Sequence, residues 1–214
     1  MNTRLPGPPP VAQLRVIGIR DDEYRHIGTD ALWWRCHRTE GAHVLAWDAF
    51  REHGPHLRFD PQPHPVGHHA GVGVWYGACG PTAALAEAFQ ADRTIDRFRG
   101  RPYLTGFRFT RVLHLLDLAT DGTGSWATRA GGTYALSTGP HFITQQWARH
   151  VVEAFPGLEG MHYNSRFAGA PCAALFSPAS DAMPARPVIS LPLTHPGLAL
   201  RIGGAAHRLG YRIC

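Results

Sequence analysis

"GVWYGACGPTAALAEAF", residues 73–89, decides how this chain is read. Residues 74–78, VWYGA, form a short apolar run that gives way to glycine and reads as a strand. Pro81 then stands where a helix begins, because proline lacks the N–H that a first turn leaves unpaired. The alanine-rich residues that follow favour a helix as far as about Ala91. That helix carries one carboxylate, Glu87. Its neighbours at helical spacing are Ala83, Ala84, Gln90 and Ala91, so no local ion pair accounts for it. Leu85 and Phe89 lie about 200° around the helix and point to the core. Glu87 therefore projects from a patch of small side chains with room for a ligand. The plainer alternative is a solvated glutamate on the outer face.

Outward from this segment, glycine and proline recur and mark many short elements joined by turns. Residues 13–19 and 31–37 read as strands, and 47–54 as a short helix ending at glycine. Residues 61–73 read as a loop. Residues 103–119 suggest one long strand or two linked ones, and 121–139 a long, mobile connection. Residues 140–155 give the strongest helix, with Ile143, Trp147, Val151 and Ala154 as its apolar stripe. Strands follow in GMHYNS, CAALFS and PVISLPL, then a turn or helix near 203–209. Strands and helices do not alternate regularly, so the expected class is α+β, with mixed or antiparallel central sheets and flanking helices. Residues 1–12 read as a flexible, proline-rich tail and 13–214 as a single domain.

Composition narrows the chemistry. The hydrophobic fraction is 44% and the charged fraction 17%, which suits a globular domain and not a disordered chain. No apolar run reaches membrane-spanning length. The N-terminus lacks the apolar core of a signal peptide, so cytoplasm is the expected location. All 21 basic residues are arginine, which excludes lysine nucleophiles and Schiff bases. Arginine also binds phosphate and carboxylate as a fork, and the net charge of +5 fits an anionic ligand. It does not demand nucleic acid, and the basic stretch at 97–111 reads as a surface strand. Cys36, Cys79, Cys172 and Cys214 are widely spaced and form no CxxC pair, so buried free thiols are expected. His64, His68 and His69 lack a helical metal-binding pattern, and no metal is expected. Six tryptophans suit a core or a self-association face, which leaves homo-oligomerisation open.

Four residues besides Glu87 stand out. Arg35 lies in WWRCH and Arg58 in HLRFD, each beside aromatic residues. A buried guanidinium needs a partner, which an acid or a bound diphosphate would supply. Tyr76 lies where a strand runs toward Glu87 and offers a ring for stacking or for the core. Ser165, in HYNSRF, follows a strand and lacks the GxSxG setting of a hydrolase nucleophile.

The order of "LWWRCHR", "LRFD", "VWYGACGPTAALAEAF" and "HYNSRFAGAPCAALF" resembles the RES-domain family, over roughly residues 30–180. Members have an ADP-ribosyltransferase-like fold and degrade NAD, and many are toxins neutralised by an antitoxin protein. By position, Arg35 matches the family's first arginine, Arg58 the second, Tyr76 the strand tyrosine, Glu87 the glutamate and Ser165 the serine. Leu57 and Asp60 depart from the family's small residue and asparagine, and the loop at 61–73 is longer than usual. The resemblance implies that Glu87, Arg35 and Ser165 are catalytic. It implies that Arg35, Arg58, Tyr76 and Ser165 bind NAD. NAD is then a substrate, so no resident cofactor is implied, and inorganic phosphate would be a co-substrate where phosphorolysis replaces hydrolysis. An ADP-ribosyltransferase acting on a macromolecule, or a non-catalytic NAD- or ADP-ribose-binding module, would use the same residues.

Overall fold

A computed structural model describes residues 5–119 and 125–214. In chain order the helices are α1 (Val11–Ile17), α2 (Pro81–Phe89), α3 (Trp126–Arg129), α4 (His141–Ala154) and α5 (Ala199–Leu209). The strands are β1 (Tyr24–Ile27), β2 (Trp33–Arg38), β3 (His53–Gly54), β4 (Gly67–His68), β5 (Val74–Ala78) and β6 (Thr94–Ile95). They continue as β7 (Pro102–Phe107), β8 (Leu113–Asp117), β9 (Gly160–Asn164), β10 (Pro171–Phe176), β11 (Ile189–Pro192) and β12 (Arg212–Ile213).

Eight strands form one sheet in the order β1-β8-β9-β10-β5-β2-β7-β11. Every neighbouring pair is antiparallel except β8–β9, so the sheet is mixed, as expected of the α+β class. Side chains alternate between its faces. Trp33 and Trp75 enter a smaller aromatic core with Phe107 and Phe109. Trp34, Val74 and Ala78 face the larger core, which α2, α4 and α5 cover. Ile143, Trp147, Val151 and Ala154 are all buried there, so the apolar stripe of α4 is its packing face. Five tryptophans are buried and Trp47 is half-buried, so most of the tryptophans belong to the core.

Several expectations are corrected. Residues 13–19 are not a strand. Val11–Ile17 is a helix whose Leu14 is fully buried and whose Arg15 donates to the Glu153 carbonyl on α4. The preceding proline run limits the entry to extended backbone, and the apolar spacing at 11, 14 and 17 then suits a helical face. Residues 5–12 are not a free tail. Leu5 is buried, and the carbonyls of Pro6 and Pro9 bond the Trp147 and His150 rings. Residues 1–4 lie outside the described residues.

Residues 47–54 are not a helix either. Arg51 forms a two-way backbone bridge with Val74, at 2.8 and 3.1 Å, because the open edge of β5 captures the segment. The stretch at 97–111 is not a surface strand. Its middle is β7, buried between β2 and β11, with arginines only at its flanks. Residues 125–139 contain α3 and a short 3-10 turn at Tyr134–Ser137, while 121–124 lie outside the described residues. The cysteines are free, but only Cys172 is fully buried, and Cys79 and Cys214 are exposed. No helix among the described residues is long and apolar enough to cross a membrane.

Candidate active site

The site begins as a gap in the sheet. β2 pairs with β5 through Trp34↔Ala78, and beyond that pair the strands part. The backbone of Arg51 takes up the β5 edge at Val74 instead. Between these two attachments lies a cleft of about 210 Å³, lined by Arg35 and Cys36 from β2 and by Tyr76 and Gly77 from β5. Gly77 has to be glycine, because a Cβ there would lie 2.1 Å from the Trp75 ring and 3.2 Å from the Trp34 carbonyl.

Helix α2 delivers Glu87 to this cleft. Leu85 and Phe89 are buried on its core face, and Ala83 and Ala84 let the helix sit close to the sheet. Glu87 is half-buried, in the last turn of the helix, where the helix dipole disfavours a carboxylate. Its Oε1 accepts a 2.5 Å hydrogen bond from Ser165 Oγ. Burial pushes the Glu87 carboxyl above its usual value, opposed by the Ser165 hydrogen bond and by the Arg58 and Arg166 charges. Ser165 is buried in the turn after β9, and its Oγ also accepts from the N–H groups of Phe167 and Ala168, each at 3.2 Å.

Arg35 sits on β2 as expected. Its Nη1 donates to the carbonyls of Trp47 and Ala49 at 3.1 and 3.2 Å, and its guanidinium lies 5.4 Å from the Trp75 ring centroid. Burial and the nearby Arg51 lower its pKa to about 10. Arg58 lies in a loop, not in a strand, and is 8% exposed. Its Nη1 donates to the carbonyl of Gly139, just before α4. Neither arginine has an acid partner among the described residues, so the ion-pair alternative fails for both.

Tyr76 turns its hydroxyl away from solvent, donating to Asp60 Oδ1 and accepting from the Phe59 N–H, both at 2.9 Å. Burial and the Asp60 charge push its pKa well above the usual value. Asp60 is fully buried. It also accepts from Arg51 Nη2 at 2.7–2.8 Å and from the N–H groups of His56 and Leu57. Gln145 of α4 donates to the Leu57 carbonyl at 2.9 Å, so both ends of the turn before Arg58 are held.

Arg35, Arg58, Tyr76 and Glu87 thus line one cleft, with Ser165 bonded to Glu87 at its wall. Sequence reasoning missed Arg51, Tyr163, Arg166, Ser137 and His141, which line it too. Arg166 had a signal in its position directly after Ser165. Arg51 was hidden in a segment misread as helix, and Asp60 was noticed only as a departure.

An α+β domain whose mixed sheet opens into a cleft with one carboxylate and several arginines is the class that this geometry defines. Residues 32–195 match the family model described as the RES domain, and the chain belongs to that family. Its fold is similar to that of a chain in the crystal structure of the M. tuberculosis MbcT–MbcA toxin–antitoxin complex. That match has a TM-score of 0.59 at 18% identity and covers 91% of this chain and 97% of the other. No curated protein matches the sequence.

Proposed function

We propose that this RES-domain protein cleaves the bond between nicotinamide and ribose in NAD, and that it is the toxin of a toxin–antitoxin pair. One observation carries the catalytic reading. The Glu87 carboxylate, held by Ser165, shares a cleft with Arg58 and Arg166, which have no acid partner among the described residues. Such a cleft suits a ligand that combines phosphate charge with a developing cation.

NAD has both. When the C–N bond breaks, its electron pair stays with the ring nitrogen and nicotinamide leaves neutral. The positive charge then spreads over the ribose C1 and ring oxygen, as in glycoside cleavage. Glu87 as carboxylate stabilises that charge, and a fixed anion in a site sheltered from water does so better than solvent. Arg58, with Arg35 across the cleft, holds the diphosphate and so fixes the ribose beside Glu87. The Tyr76 ring, oriented through its hydroxyl, stacks on nicotinamide. Attack by water gives ADP-ribose and a proton. Attack by inorganic phosphate gives ADP-ribose-1″-phosphate.

Family membership and the fold shared with a toxin–antitoxin component support the toxin reading. The test is twofold. Purified protein is incubated with labelled NAD, with and without phosphate, and the products are separated. Free nicotinamide with a soluble ADP-ribose product is expected, whereas label on a macromolecule would mean a transferase. Expression in a bacterial host should deplete NAD and arrest growth, and Glu87→Gln should abolish both effects. Arrest that persists in Glu87→Gln would sink the catalytic reading.

A further inference from the structure

One corner of the cleft has polar groups that no protein partner satisfies. Ser137 lines the cleft and is 5% exposed, and its hydroxyl has no hydrogen-bond partner. A buried, unpaired hydroxyl is uncommon, because desolvating it without a partner is unfavourable. Four residues on, His141 opens the 14-residue helix α4 and lines the same cleft. The N–H groups of Ile143 and Thr144 both bond the Pro140 carbonyl at 3.1 Å, while those of His141 and Phe142 have no acceptor among the described residues. Arg58 reaches the Gly139 carbonyl beside this helix start, and Arg166 lines the same cleft. Burial first, and then the Arg58 charge, hold the His141 ring below its usual pKa, against a hydrogen bond to the His56 backbone and with a smaller push from Arg166.

We propose that Ser137, the first turn of α4, Arg58 and Arg166 form a subsite for one tetrahedral phosphate group. The Ser137 hydroxyl, the free N–H groups at the start of α4 and the two guanidiniums can all donate to one anion, and the helix dipole adds to them. A guanidinium matches phosphate oxygens as a fork, and the Ser137 hydroxyl donates without giving up another bond. The phosphate has two chemical sources, the diphosphate of a bound dinucleotide or free inorganic phosphate. The subsite deepens the NAD reading and rests on it only for the choice between these two.

The test measures binding first, so that it stands apart from turnover. Inorganic phosphate and ADP-ribose are titrated into the full chain by calorimetry, with thermal melting as a control for folding. Ser137→Ala removes a hydroxyl that holds no part of the fold, so its melting temperature should match the wild type. Its affinity for the phosphate-bearing ligand should fall roughly 10-fold, the weight of a hydrogen bond to a charged group. Arg166→Ala should lower affinity further. Phosphate that competes with ADP-ribose assigns the corner to the dinucleotide, and phosphate that binds alongside it assigns the corner to the free ion. Unchanged affinity for both ligands in Ser137→Ala and Arg166→Ala would overturn the subsite. Binding that follows this pattern without nicotinamide release would retain the subsite and remove the NAD-cleaving reading.

Discussion

The Ser165 hydroxyl donates to Glu87 Oε1 at 2.5 Å while its own oxygen accepts from two backbone N–H groups. With its acceptor capacity filled by the turn, the hydroxyl has its proton directed at the carboxylate. Ser165 therefore sets the position and charge of Glu87 from within the protein.

Ser165→Ala should accordingly act through Glu87. Burial already raises the Glu87 pKa, and the Ser165 bond is the first of the influences that lower it. Without that bond the carboxyl should hold its proton to still higher pH. The expected result is an acidic limb of the pH–rate profile displaced upward, with turnover lowered more than substrate affinity. Steady-state kinetics across pH would measure both.

Glu87→Gln keeps the shape and removes the charge. Loss of one preorganised electrostatic group typically lowers turnover roughly 10²- to 10³-fold. On the proposed mechanism the ionised carboxylate is the active form, and burial raises its pKa above the usual 4.5. Activity should therefore rise with pH through that raised value, and the limb should be absent from any residual activity of Glu87→Gln. For stability the sign is opposite: an acid with a raised pKa binds its proton more tightly in the fold, so its unfavourable share grows as pH rises. Denaturation of Glu87→Gln at neutral pH should show stability equal to or above the wild type.

The Asp60 network should respond in stability. Asp60→Ala would leave Arg51 without its counter-ion and the Tyr76 O–H without an acceptor, a loss of about 3–5 kcal/mol for a broken buried ion pair. Tyr76→Phe removes one hydrogen bond and should lose about 1 kcal/mol. Urea denaturation would rank them. Equal stability of Asp60→Ala and wild type would contradict the burial of this carboxylate.

Two arginines of one cleft should separate in their effects. Arg35 holds the carbonyls of Trp47 and Ala49, so Arg35→Ala should lower both melting temperature and NAD affinity. Arg166 contacts the Phe167 ring, 4.6 Å from its centroid, and has no acid partner among the described residues. Arg166→Ala should lower affinity and leave the melting temperature within a degree or two. Paired melting and binding measurements would decide.

The elements with strong local signals were legible in the sequence. Pro81 and the alanines marked α2, and the stripe from Ile143 to Ala154 marked α4, because both patterns arise within one helix. Arg35 and Glu87 were visible as polar groups that their own elements could not satisfy. Residues 47–54 were misread because their fate depends on an open strand edge some 20 residues away in the chain. Ser165 was legible as a position, but its bond to Glu87 spans 78 residues and no local pattern encodes it. Asp60 looked like a departure from a motif until Arg51 appeared beside it as counter-ion. The phosphate corner needs α4, the Arg58 loop and the turn after β9 together, a conjunction that only folding creates.

The parting of β2 and β5 has one more consequence. The aperture is an interrupted ladder, framed by main-chain hydrogen bonds at Trp34↔Ala78 and Arg51↔Val74. Main-chain bonds are blind to side-chain identity, so wall residues other than Gly77 can be exchanged while the opening keeps its width. An architecture of this kind separates the frame from its furnishings.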